Sequence, residues 1–382
     1  MNPTRMSSIA SRTLGLAVAV GLFGLPLASH AASYTFVDLN SIGYNYSYAS
    51  AVSGGQQVGY GVAHPTDGRQ HALLWSGGAA GVVDLNPSGF IRSSLTGIFG
   101  GQQVGMGTSP ANDDNEHALL WSGTADSVVD LNPSGYAYSR ANAMSANQQV
   151  GQGLLTASAS QHAFLWSGTA NSAVDLNPNG FTYSEAYGVS GGQQVGVGSG
   201  PVVGNSPHAL LWSGTAASMV DLNPSGVLSS YAFAVSDGRE VGEALGPATG
   251  NNAHAYLWSG TAGSGVDLNP TGFLESGARG ISGRWQVGDG DGPATGNRHH
   301  ALLWSGTAGS VVDLQRFLSS DYSSSEAAGV DADGNVVGYA IYVPTGVPHA
   351  ILWRVVPEPG IMTLATLGVL IFVLRSGNRD AV

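Results

Sequence analysis

Apolar residues in the central part of this chain come in short runs bounded by Gly, Pro, Asn and Ser, and none of the runs carries the 3.6-residue spacing of a helix. Four kinds of run recur in a fixed order. The first reads A-x-[A/G]-[V/I]-S, as at residues 49–53 and 232–236. The second is QQVGxG, with Val58, Val104, Val150, Val195, Val241, Val287 and Val337. The third is HALLW, ending in Trp75, Trp121, Trp166, Trp212, Trp258, Trp304 and Trp353. The fourth is VDL, with Asp38, Asp84, Asp130, Asp175, Asp221, Asp267 and Asp313. Turn chemistry separates them: Gly-Gly after the first, Ser-Gly-Thr-Ala after the third, Asn-Pro-Ser-Gly after the fourth. Each run is therefore read as a strand. Within HALLW, Leu73 and Trp75 face one way and Ala72 and Leu74 the other, so both faces are apolar and both must be covered.

The histidines of the third run, His71, His117, His162, His208, His254, His300 and His349, are spaced by 46, 45, 46, 46, 46 and 49 residues. A period in the forties marks a repeat architecture, and four strands per period make a propeller blade. Burying one Trp returns roughly 4–6 kcal/mol. Ordering a 46-residue repeat costs on the order of 70 kcal/mol. No blade folds alone, and neighbours must stack. The ends of the array are complementary. The chain opens with a VDL run at Asp38 and closes after HAILW with no VDL behind it. The sequence thus predicts an all-β, seven-bladed β-propeller of four-stranded blades over residues 33–353, closed by the N-terminal strand. A parallel solenoid is the rival, but it gives no reason for complementary ends.

Both termini read as processing segments. Arg5 and Arg12, the apolar run from Leu14 to Leu27, and the small residues Ser29 and Ala31 form a secretory signal over residues 1–31, with cleavage after Ala31. At the other end, residues 354–382 contain Val356, Pro357, Glu358 and Pro359, then an apolar run from Gly360 to Leu374, then Arg375. As a helix that run reaches about 22 Å, short of the ~30 Å hydrocarbon core, and Arg375 snorkelling makes up part of the difference. This tail resembles the PEP-CTERM sorting signal of Gram-negative bacteria. The resemblance implies a transmembrane segment at 360–374 and recognition of Pro357, Glu358 and Pro359 by an exosortase, with Arg375 as the basic stop. Family tails carry an arginine cluster; here Arg379 stands alone beside Asp380. A simple membrane anchor is the plainer alternative. The repeats themselves resemble the HAF family of extracellular repeats, through copies such as His162-Ala163-Phe164, over about residues 33 to 353. That resemblance implies a secreted bacterial protein and no defined reaction.

Composition narrows the partners. Charged residues are 10% of the chain, all 13 basic residues are Arg, and net charge is -12. Without a basic stripe, nucleic acid is not an expected partner. The chain has no Cys, so disulfides and thiolate metal sites do not arise.

The repeated residues look structural. Equivalent His on different blades cannot share one ion, since zinc needs ligands about 2.0–2.1 Å from one point; pairing with the VDL Asp is the expected role. Repeated Asp cannot meet the about 5–9.5 Å spacing of a glycosidase pair. The segments at 289–292 and 331–334 are acidic but lack a Glu at EF-hand spacing; they read as tight turns, with a weak Ca²⁺ site as the alternative. Thr124, Thr169, Thr215, Thr261 and Thr307 read as turn residues. What varies between copies is more informative. The linkers before HALLW differ each time, near Thr66, Asn112, Asn205 and Asn297. So does one place in the first strand: Ser50, Thr96, Asn142, Tyr187, Phe233, Arg279 and Ala328. Trp285 stands outside the repeat where most copies carry Gln, and is expected to be more exposed than the repeated Trp.

The expected function is structural or adhesive work at the cell surface or in the extracellular matrix, without catalysis, cofactor or metal. The expected partners are exosortase and the secretion machinery, with exopolysaccharide as a further candidate. A lectin-like propeller is one alternative. A propeller hydrolase is the other, and would draw on the irregular residues Arg279, Trp285, Asp289 and Asp291.

Overall fold

The computed structural model describes residues 33–63, 68–158 and 160–356. Seven four-stranded antiparallel sheets form the blades. Blade 1 consists of Tyr44–Ser53, Gln56–Ala63, Gln70–Trp75 and Val83–Asp84. The first strand of each blade is innermost and the short VDL strand outermost. Blade 7 is composite: Tyr322–Val330, Val336–Tyr342 and Val347–Val356 are completed by Ser33–Asp38 from the start of the array. The register Phe36 to Trp353 and Asp38 to Ile351 seals the ring, as the complementary ends predicted. The last strand runs through Val356, which pairs with Ser33, so this residue of the expected sorting motif belongs to the propeller. The expected signal through Ala31, and Pro357, Glu358, Pro359, Arg375 and the apolar segment 360–374, lie outside the described residues. Among the described residues no helix is long and apolar enough to cross a membrane.

The core is divided among seven apolar clusters, one between each pair of neighbouring blades. HALLW shows why. Leu73 and Trp75 pack towards blade 7 with Val337 and Leu352. Ala72 and Leu74 pack towards blade 2 with Leu95 and Trp121. The Trp of every blade is 0% exposed, so each strand is covered on both sides as its alternation required. Trp285 is only half-buried, with the Arg284 guanidinium 4.1 Å above its ring.

A β-bulge interrupts the first strand of every blade. In blade 1 the pairing steps from Ala49–Gly59 to Ala51–Val58 and skips Ser50. The skipped residues elsewhere are Thr96, Asn142, Tyr187, Phe233, Arg279 and Ala328. The bulge also explains the glycine of QVG. The carbonyl two residues before the bulge lies close against the second strand, and a Cβ at Gly59 would lie 1.9 Å from the Tyr48 oxygen.

Candidate functional site

The repeated polar residues join into one network per blade. His71 Nδ1 lies 2.7 Å from Asp84 Oδ2, and the other repeat histidines pair likewise at 2.6–2.8 Å. The Asp84 Oδ1 accepts the Asn86 N–H at 2.8 Å. The Ser93 hydroxyl of blade 2 donates to Asn86 at 2.7 Å and accepts the Ala72 N–H at 3.1 Å. Each His–Asp pair thus locks its own blade and reaches the next. In blade 7 the same network joins His349, Asp38 and Ser47 across the closure. These groups are spent on structure, and each His is held in its own blade.

The bulged residues point into the central channel, where a cavity of about 260 Å³ is lined by Ser50, Thr96, Asn142, Tyr187, Phe233, Arg279 and Ala328 among others. The variable place in the first strand is therefore the channel wall. Some of these side chains also tie blades together. The Thr96 hydroxyl donates to the Ala141 carbonyl at 2.7 Å, and the Asn142 amide to the Ala186 carbonyl at 2.9 Å. A bulge turns a side chain out of the ladder, which frees this position from the demands of sheet packing.

Charge gathers at the end of the channel from which the long loops emerge, on blades 5 to 7. Arg279 leaves the bulge of blade 6 with its guanidinium 4.7 Å from the Phe233 ring. It pairs with Asp289 at 3.3 Å and with Glu243 at 3.2 Å. Asp289 is buried in the second strand of blade 6, and its other oxygen lies 3.1 Å from His299 Nδ1. Glu326, in the first strand of blade 7, completes the group; one ligand atom each from Asp289, His299 and Glu326 lie within 4.8 Å of one another. The Tyr339 hydroxyl faces Glu326. The hydrogen bond with Asp289 pushes the His299 imidazole up to about 9, so it carries its proton at neutral pH. Burial pushes the Glu243 carboxyl up, and Arg279 opposes that shift. The result is three carboxylates, an imidazolium and a guanidinium gathered across blades 5, 6 and 7.

The sequence reading reached part of this. Arg279 and Asp289 are in the group. Trp285 and Asp291 are not: Trp285 starts the second strand at the opposite end, and Asp291 pairs with Glu275 beyond the group. Residues 289–291 belong to a strand, Trp285–Asp291, rather than to the tight turn expected, because the ladder of blade 6 continues through them. The 331–334 segment is the expected turn, with Asp331 accepting the N–H groups of Asp333 and Asn335. His299, Glu243 and Glu326 were missed. One signal for His299 was available: the doublet His299-His300 holds one histidine more than the repeat uses.

No family model and no curated protein matches the chain. Solved structures do match. The β-propeller domain of the Trilobed protease from Pyrococcus furiosus covers 81% of this chain and 96% of its own, at 9% identity and a TM-score of 0.57. That propeller has an open velcro topology, whereas here the first strand closes the last blade. A Mycobacterium tuberculosis puromycin-hydrolyzing peptidase covers 81% of this chain and 55% of its own, at 14% identity and a TM-score of 0.53. A prolyl endopeptidase matches over 83% of this chain at 12% identity and a TM-score of 0.50. The present chain spans about half the length of these two peptidases, 55% and 51%. At such identities the likeness establishes the fold alone. It nevertheless corrects the expectation drawn from the repeats. The matched neighbours are a protease's propeller domain and peptidases that contain such a fold, so the expected structural or adhesive role without catalysis no longer follows from the fold.

Proposed function

We propose that this protein is a propeller hydrolase acting on peptide-like substrates, with Asp289, His299 and Glu326 as its reaction centre. The observation that carries the reading is their convergence. None of them belongs to the structural network of the repeat, and they meet where blades 6 and 7 pack together. Support comes from the peptidase chains that share the fold.

The chemistry needs little else. Hydrolysis of an amide adds water across one bond. The water oxygen bonds to the carbonyl carbon, its proton passes to a carboxylate, and the C–N bond breaks as that proton moves to the leaving nitrogen. Glu326 is the base in this scheme. Asp289 is held by Arg279 and orients His299, which faces the developing charge on the carbonyl oxygen. The termini extend the proposal: export by the signal ending at Ala31, then sorting by an exosortase at Pro357, Glu358 and Pro359, would place the activity outside the cytoplasm.

The test is an assay of the full chain against fluorogenic peptide amides and aminoacyl amides. Replacing Glu326→Gln should lower kcat by about 10²–10⁴-fold, the range for loss of a positioned base. A folded wild-type protein that cleaves none of these substrates would overturn the reading.

A further inference from the structure

We infer that Asp289, His299 and Glu326 form a binding site for one divalent cation of the zinc class. The site stands on geometry alone: with the ion bound, Glu326 and His299 are ligands rather than the metal-free base and charge-facing group described above.

Three observations lead there. The first is spacing. Two ligands that hold one zinc at about 2.0–2.1 Å in tetrahedral array stand roughly 3.3 Å apart. His299 Nδ1 and Asp289 Oδ2 stand 3.1 Å apart, and all three ligand atoms lie within 4.8 Å of one another. A tetrahedral set requires Glu326 to bring its carboxylate closer to the other two ligands. The second is chemistry. One imidazole and two carboxylates suit zinc, and a site with three protein ligands keeps a place for water. Two carboxylates balance the charge of a divalent ion, and its binding displaces the proton that His299 otherwise carries. Asp289 is buried, Glu326 half-buried, and the His299 side chain 54% exposed, so the group is open to solvent on the His299 side.

The third is the surrounding support. Metal-bound carboxylates are held by outer hydrogen bonds that fix their orientation. Arg279 Nε lies 3.3 Å from Asp289 Oδ1, the oxygen turned away from His299. The Arg279 charge is shared with Glu243 at 3.2 Å, so it does not stand unopposed beside the ion. Tyr339 faces Glu326. No comparable group of three His, Asp or Glu occurs elsewhere among the described residues. The repeat histidines cannot supply one, since each is tied to an Asp of its own blade.

The experiment titrates ZnCl₂ into chelator-stripped full-length protein by calorimetry, with circular dichroism to confirm folding. One equivalent should bind. Asp289→Asn, Glu326→Gln and His299→Ala should each weaken binding at least tenfold. His299→Ala changes an exposed side chain, so it keeps the test valid if the Asp289 variant misfolds. Absence of a stoichiometric site, or zinc bound equally by all variants, overturns the inference. The two readings separate cleanly. Zinc bound at this site without hydrolysis leaves the inference standing and removes the hydrolase. Hydrolysis that survives chelation, with no stoichiometric zinc, does the reverse.

Discussion

At the scale of single residues, the repeat supplies its own controls, because each place in a blade is sampled several times in one protein. Position two of QQVG shows what this yields. Gln57 accepts the Gly77 N–H at 2.9 Å and donates to the Gly55 carbonyl at 2.9 Å, and Gln103 does the same with Gly123 and Gly101. Blade 5 carries Glu240 there instead, 0% exposed. Its Oε2 accepts the Gly260 N–H, but Oε1 is buried without a partner. Burial pushes its carboxyl up. The folded state therefore holds this proton more tightly than the unfolded chain does. No cost arises below the ordinary carboxylate range; stability falls as pH rises from there through the raised value. Glu240→Gln should stabilise the protein at pH 7 by about 1–3 kcal/mol, the cost of a buried unpaired acceptor. Near pH 4 the gain should shrink. Chemical denaturation at both pH values checks this, and an equal gain at both would contradict the account.

At the scale of the element, the bulge is the device that separates scaffold from function. It repeats in all seven blades, so it is structural; the residue it ejects differs in all of them, so that residue is free to serve the channel. The QVG glycine holds the bulge in place. A Cβ at Gly196 would stand 1.9 Å from the Glu185 carbonyl oxygen, and backbone cannot move aside as a side chain can. Gly196→Ala should cost at least the ~1–3 kcal/mol of an overpacked core. In contrast, a Cβ at Gly78 would meet nothing within 4 Å, and Gly78→Ala should be nearly neutral. Thermal unfolding of the pair checks the contrast.

At the scale of the molecule, closure decides stability. Ser33–Asp38 is the outer strand of blade 7, and Asp38 receives both His349 at 2.8 Å and the Tyr322 hydroxyl at 2.8 Å. Leu39, 0% exposed, belongs to the cluster between blades 7 and 1. Deleting residues 33–40 would expose that cluster and leave an unpaired strand edge. Because each blade is stabilised by its neighbours, the whole ring should lose stability rather than one end. A truncated chain with the melting temperature of the full one would refute this. The proposed reaction centre belongs to the same scale. Asp289 and His299 come from blade 6 and Glu326 from blade 7, so the group exists only where two blades meet.

The sequence by itself determined the architecture. Strand runs, turn residues and a period in the forties are local or repeated features, and covalent order carries them directly. The His–Asp pairing was legible for the same reason: the two residues recur at a fixed offset of 13 in six blades, and in blade 7 the N-terminal Asp38 takes the place of the missing partner. Even the channel wall was visible as variation at one place in the repeat, though not its cause. Only the tertiary structure decided which variable residues meet. Glu326 and Asp289 are neighbours through blade packing, and nothing in their spacing along the chain marks that. The repeat also masked the site. It made copied residues conspicuous and left His299, one position before a copied histidine, to pass as part of the pattern. Contact between blades depends on stagger, bulge and twist, which place side chains in space independently of the period that generated the blades.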